Sequence, residues 1–136
     1  MIGVLILAHG NLGTALLASA SHMLGREPEN VRAIGVSASD APESILARGR
    51  AALRELDTGN GVLVLTDIYG ATPCNVASRL LKRGQVEGVS GVSLPMLLRV
   101  LTYSGGGLDA LVEKARSGGT EGVVHLHDDC CSNAER

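Results

Sequence analysis

Ile2 to Ala8 is an unbroken apolar run of strand length, and such a run predicts a strand buried on both faces. From Gly13 to Leu24, Ala, Leu and Met recur at helical spacing and predict a helix. Val31 to Val36 predicts a second strand. Pro42 to Leu56 predicts a second helix, with Asp40 near its start, Pro42 in its first turn and Ile45, Leu46, Ala52, Leu53 and Leu56 along one side. Asp57-Thr58-Gly59-Asn60-Gly61 breaks the chain, and Val62 to Thr66 follows as the most β-like segment, closed by Asp67. Pro73 to Arg83 predicts a helix carrying Val76, Leu80 and Leu81, and Val86 to Ser93 a fourth strand. Pro95 opens an apolar helix to about Tyr103, which Ser104-Gly105-Gly106-Gly107 stops. Leu108 to Arg116 starts another helix, and Gly122 to Leu126 reads as a short fifth strand. One domain over residues 1–127 and a flexible polar tail over 128–136 are expected.

Strands that are apolar on both faces and alternate with helices imply an α/β fold, a doubly wound, mainly parallel sheet with helices on both sides. Loops at the carboxyl ends of such strands gather at one edge, and ligands bind where the strand order reverses. His9 ends the first strand and Asp67 the third. With the order 2-1-3-4 these strands are neighbours, and the two side chains can meet.

The 136 residues are enough for one domain and leave no room for a second full one. Hydrophobic residues make up 45% of the chain, but with two Tyr and no Phe or Trp the core must be aliphatic, which argues against stacking on bases. The net charge of −2 and scattered basic residues leave no stripe for nucleic acid or for an anionic membrane. The opening apolar run is too short for a membrane span or a signal sequence and is interrupted by His9. A cytoplasmic protein without direct membrane insertion is therefore expected. Cys74, Cys130 and Cys131 are odd in number, with two adjacent, so reduced thiols fit better than a disulfide framework.

Leu5-Ile6-Leu7-Ala8-His9-Gly10-Asn11-Leu12-Gly13 invites three readings. As a dinucleotide turn it lacks the first glycine of G-x-G-x-x-G, because Ala8 stands there. The second strand also ends in Gly35-Val36-Ser37 without the carboxylate that holds a ribose. As a metal site it resembles the His-Gly turn of the small tetrapyrrole chelatases, which need a second histidine or glutamate from another strand end. His125, His127, Cys130 and Cys131 form a loose cluster of ligand types. The plainer reading of that cluster, and the one adopted, is a last strand with two histidines on one face and no metal. As a nucleophile, His9 needs a carboxylate on one ring nitrogen to fix the tautomer, and Asp67 is the candidate. An anionic group would find donors in Tyr69-Gly70-Ala71-Thr72-Pro73: a glycine for close approach, a Thr72 hydroxyl that can also cap, and a helix start at Pro73.

Three longer stretches carry a family resemblance. Val4 to Gly25, "VLILAHGNLGTALLASASHMLG", Gly61 to Leu80, "GVLVLTDIYGATPCNVASRL", and Val89 to Leu101, "VSGVSLPMLLRVL", together resemble the IIA component of the mannose family of the bacterial phosphoenolpyruvate-dependent sugar phosphotransferase system (PTS). The likeness covers roughly residues 1–127 and includes the turn Asp-x-x-Gly-x-Ser/Thr-Pro-x-Asn.

The resemblance implies that His9 accepts a phosphoryl group from the phosphohistidine of HPr and hands it to a IIB component, here expected on a separate chain. Asp67 would orient His9. Gly70, Ala71 and Thr72 would hold the phosphoryl oxygens. No cofactor is implied. It further implies a homodimer exchanging a short antiparallel last strand, Gly122 to Leu126. Three roles fit it: sugar uptake, phosphorylation-state sensing in an incomplete system, and phosphoryl donation within a dihydroxyacetone kinase. Ala71, Thr72 and Cys74 stand where family members often carry glycine, serine and phenylalanine, so the hydroxyl is kept and a thiol is added beside the expected phosphoryl site.

Overall fold

The computed structural model of the chain describes residues 1–103 and 105–127. Nine elements follow one another: β1 (Gly3–His9), α1 (Leu12–Leu24), β2 (Val31–Val36), α2 (Pro42–Leu56), β3 (Val62–Thr66), α3 (Thr72–Leu80), β4 (Val86–Val89), α4 (Leu94–Thr102) and α5 (Leu108–Glu121). The four strands form one parallel sheet in the order β2-β1-β3-β4, as the apolar pattern predicts.

β1 and β3 take the two central places because their side chains are apolar on both faces. Val4, Ile6, Ala8, Leu63 and Leu65 point into one core layer with Ala20 of α1, Leu97 of α4 and Leu111 of α5. Leu5, Leu7, Val62 and Val64 point into the other, with Ile45 and Leu46 of α2 and Val76 of α3. Alternation along each strand thus builds two aliphatic cores from one sheet.

Element ends differ from the sequence reading for local reasons. β1 runs one residue further, because His9 still pairs with Val36 in the ladder. β4 stops at Val89, after which Gly91 turns at φ +82° and the Val92 N–H bonds the Thr66 carbonyl at 2.9 Å. α3 stops at Leu80, where Lys82 exchanges backbone hydrogen bonds with Val86 around Gly84. α5 passes through Ser117-Gly118-Gly119 to Glu121 because these glycines admit α4: a Cβ on Gly118 would lie 3.1 Å from Arg99 Cβ.

The expected strand Gly122–Leu126 is not formed. Gly122 ends α5 with its N–H on the Gly118 carbonyl, and no described strand pairs with the residues that follow. A strand is held by ladder hydrogen bonds to a neighbour, and here Val123, Val124 and Leu126 are exposed instead. The expected tail, with Cys130 and Cys131, and Ser104 of the predicted break lie outside the described residues.

Candidate functional site

His9 and Asp67 leave the sheet at the same edge, from neighbouring central strands. Leu7 is level with Thr66, so His9 lies just beyond the end of β3, where Asp67 begins the next loop. Gly10 then turns at φ +55°, a conformation that suits glycine, and its N–H bonds the Val36 carbonyl at 2.9 Å. A Cβ at position 35 would collide with the Gly10 carbonyl, and β2 carries Gly35 there. The turn that presents His9 is therefore seated on β2 as well as on β1.

The His9 ring meets Asp67, with Nδ1 2.7 Å from Oδ2. The same oxygen accepts the His9 backbone N–H at 2.9 Å, and Oδ1 accepts the Ile68 N–H at 3.0 Å. Burial pushes the Asp67 carboxyl up, but these hydrogen bonds and the attraction of the His9 ring outweigh it and hold the group below the usual carboxylate range. An ionised carboxylate can only accept, so the proton between them sits on Nδ1, and in the neutral ring Nε2 carries the lone pair. The His9 side chain is 52% exposed and that of Asp67 10%: a presented ring on a largely covered anchor.

After Asp67 the chain turns at Gly70, φ +86°, and enters α3. Ala71 rather than Thr72 is the N-cap and makes no side-chain capping bond, so the capping expected of Thr72 is not what the helix uses. Pro73 follows Thr72 inside the first turn because it needs no N–H acceptor there. No backbone acceptor among the described residues takes the N–H groups of Ala71, Thr72 or Cys74, which leaves them at the positive end of α3. Asn75, which the residue-by-residue reading passed over, holds this turn: its side chain donates to the Gly70 carbonyl at 3.4 Å and its N–H to the Ala71 carbonyl at 2.9 Å. Cys74 is partly buried and unpaired.

Three apolar side chains at this edge were also missed. Ile68 and Tyr69 follow Asp67 directly and are 58% and 83% exposed, and Leu12 opens α1 at 40%. The signal was an Ile-Tyr pair inside a loop. Among the described residues no group of three metal-ligating side chains comes together, and no helix is long and apolar enough to cross a membrane.

The model of the family EIIA-man, "PTS system fructose IIA component", matches residues 3–116. The chain belongs to the EIIA-man family. It is 37% identical over 128 residues to the PTS system mannose-specific EIIAB component of Escherichia coli (strain K12), an alignment covering 92% of this chain and 39% of that protein. The EIIA-man chain thus spans well under half the length of that relative. It is 33% identical over 103 residues to the PTS system fructose-specific EIIA component of Bacillus subtilis (strain 168), covering 75% of this chain and 70% of that one. The crystal structure of phosphotransferase system component EIIA from Streptococcus agalactiae superposes with a TM-score of 0.84 at 28% identity, over 94% of this chain and 99% of that one.

Proposed function

We propose that this EIIA-man chain is a phosphocarrier that accepts a phosphoryl group from phospho-HPr on His9 and passes it to a IIB component, in sugar uptake and phosphorylation. The observation that carries the reading is the 2.7 Å contact of His9 Nδ1 with Asp67, which directs the lone pair of Nε2 outward from an exposed ring. In the forward step the Nε2 lone pair forms a bond to phosphorus as the N–P bond to the donor histidine breaks, and that bonding pair stays with the donor ring. Asp67 stabilises the positive charge that develops on the His9 ring. The Thr72 hydroxyl and the N–H groups of Ala71 and Thr72, approached over Gly70, take the phosphoryl oxygens at the start of α3.

Group transfer between proteins needs an exposed nucleophile that a second protein's histidine can approach in line. The exposure of His9 fits this, and Leu12, Ile68 and Tyr69 supply apolar contact for a partner around it. For the homodimer, the Gly122–Leu126 segment, whose first two residues border a cavity of about 640 Å³ beside β4 lined also by Val89, Met96 and Val112, would be exchanged with that of a second copy.

Incubation with phosphoenolpyruvate, enzyme I and HPr should add one phosphoryl group to the intact mass of the chain, labile in acid and missing from His9→Ala. Loading of His9→Ala to the wild-type level would place the acceptor elsewhere.

A further inference from the structure

Asn75 acts on the turn before α3 rather than on His9. Its side-chain Nδ2 donates to the Gly70 carbonyl at 3.4 Å, and its own N–H donates to the Ala71 carbonyl at 2.9 Å. We infer that Asn75 is a positioning residue for phosphoryl transfer, holding the peptide between Gly70 and Ala71 so that the Ala71 N–H faces the transferred group. The inference deepens the reading of His9 as phosphoryl acceptor and rests on it.

The Gly70 carbonyl and the Ala71 N–H belong to one trans peptide, across which they point in opposite directions. Securing the carbonyl on Asn75 therefore turns the N–H away from Asn75, and no backbone acceptor among the described residues takes it. Gly70, at φ +86° and without a Cβ, leaves local sterics little hold on the direction of that peptide. Ala71, the N-cap, has no side-chain bond to fix it either. The Asn75 amide supplies the constraint from a helix whose Pro73, Val76 and Ala77 are buried. Asn75 itself is exposed, so core packing does not call for an amide there. A phosphoryl group carries its charge on its oxygens through the in-line step, and an N–H already aimed at them stabilises that step without reorganising. Loosening the peptide removes this contribution and leaves the Nε2 lone pair as it was.

The test compares wild type with Asn75→Leu, which keeps the side chain's shape, favours a helix more than asparagine does and cannot donate. Asn75→Ala serves as a second variant and should behave alike. Each chain is loaded from phospho-HPr and, separately, from phosphoramidate, a small donor that leaves ammonia as its P–N bond breaks. Expected is roughly 10–100-fold slower loading of the variants from both donors, seen with phospho-HPr as a lower kcat at unchanged KM. The Ala71 amide proton should move downfield on loading in wild type and stay in place in the variants, while the ring signals of unloaded His9 are the same in all. A purely structural tie would lower the urea midpoint and leave both rates per folded chain unchanged, which overturns the inference. A change confined to KM, or an Ala71 proton that responds alike in every chain, overturns it as well. Wild type that loads from phosphoramidate but not from phospho-HPr instead contradicts the carrier reading, and the small donor still decides the role of Asn75. No loading of His9 from either donor overturns both.

Discussion

Asp67 accepts from the His9 ring, the His9 N–H and the Ile68 N–H, so its ionised form is built into the native turn. Burial opposes that form and the donors outweigh it, leaving the carboxyl below its usual range in the folded chain. The sign follows from linkage: a depressed native pKa adds stability that is fully present above the unfolded value of about 3.9 and fades as pH falls through the native value. Denaturant titrations on the acid side of about pH 4 should show wild type losing more stability than Asp67→Asn, whereas matched acid sensitivity would mean that the pair adds none. The same substitution removes the charge facing the ring and unsettles its tautomer, so phosphoryl acceptance in rapid-quench experiments should slow by roughly 10²–10⁴-fold. His9 and Asp67 were legible because each is a polar residue closing an apolar run. Asn75 stood in the family turn, but its role was not legible: its bond to the Gly70 carbonyl depends on a turn whose path appears only once Gly70 adopts a positive φ.

At the scale of elements, periodicity placed β2, α2 and β3 at their observed bounds, since nothing tertiary competes with the pattern there. α5 runs on past Arg116 because Gly118 and Gly119 are the positions where α4 approaches. A glycine's intrinsic penalty in a helix is about 1 kcal/mol, and close packing of two helices can offset it. Gly122 lies at the same seam: a Cβ there would sit 2.7 Å from Pro95 Cγ and 2.9 Å from the Gly118 carbonyl. Gly122→Ala should destabilise the fold by about 1–3 kcal/mol, read as a lower urea midpoint at unchanged slope. A variant as stable as wild type would show that the end of α5 is not confined by α4. The missing strand at Gly122–Leu126 illustrates a different limit. A short apolar segment announces strand propensity, but whether an edge is there to pair with is a property of the assembled sheet.

For the whole molecule, one parallel sheet brings two helix starts, a carboxylate and an imidazole to a single edge, and the strand order alone accounts for their meeting. That much was readable from the alternation of strands and helices, whereas the exposed Leu12, Ile68 and Tyr69 were hidden by the general rule that apolar side chains lie inside. Ile68→Ser with Tyr69→Ala should raise the KM for phospho-HPr by roughly 10-fold or more while leaving the His9 ring signals unchanged, which separates docking from chemistry. An unaltered KM would remove the apolar edge from partner recognition. Which nitrogen of which histidine carries the group decides the mechanism, and ¹⁵N–³¹P NMR of the chain phosphorylated by phospho-HPr measures that directly. Phosphorus coupled to Nε2 of His9, with Nδ1 still protonated against Asp67, is the predicted result; phosphorus on Nδ1, or on any other residue, would contradict it.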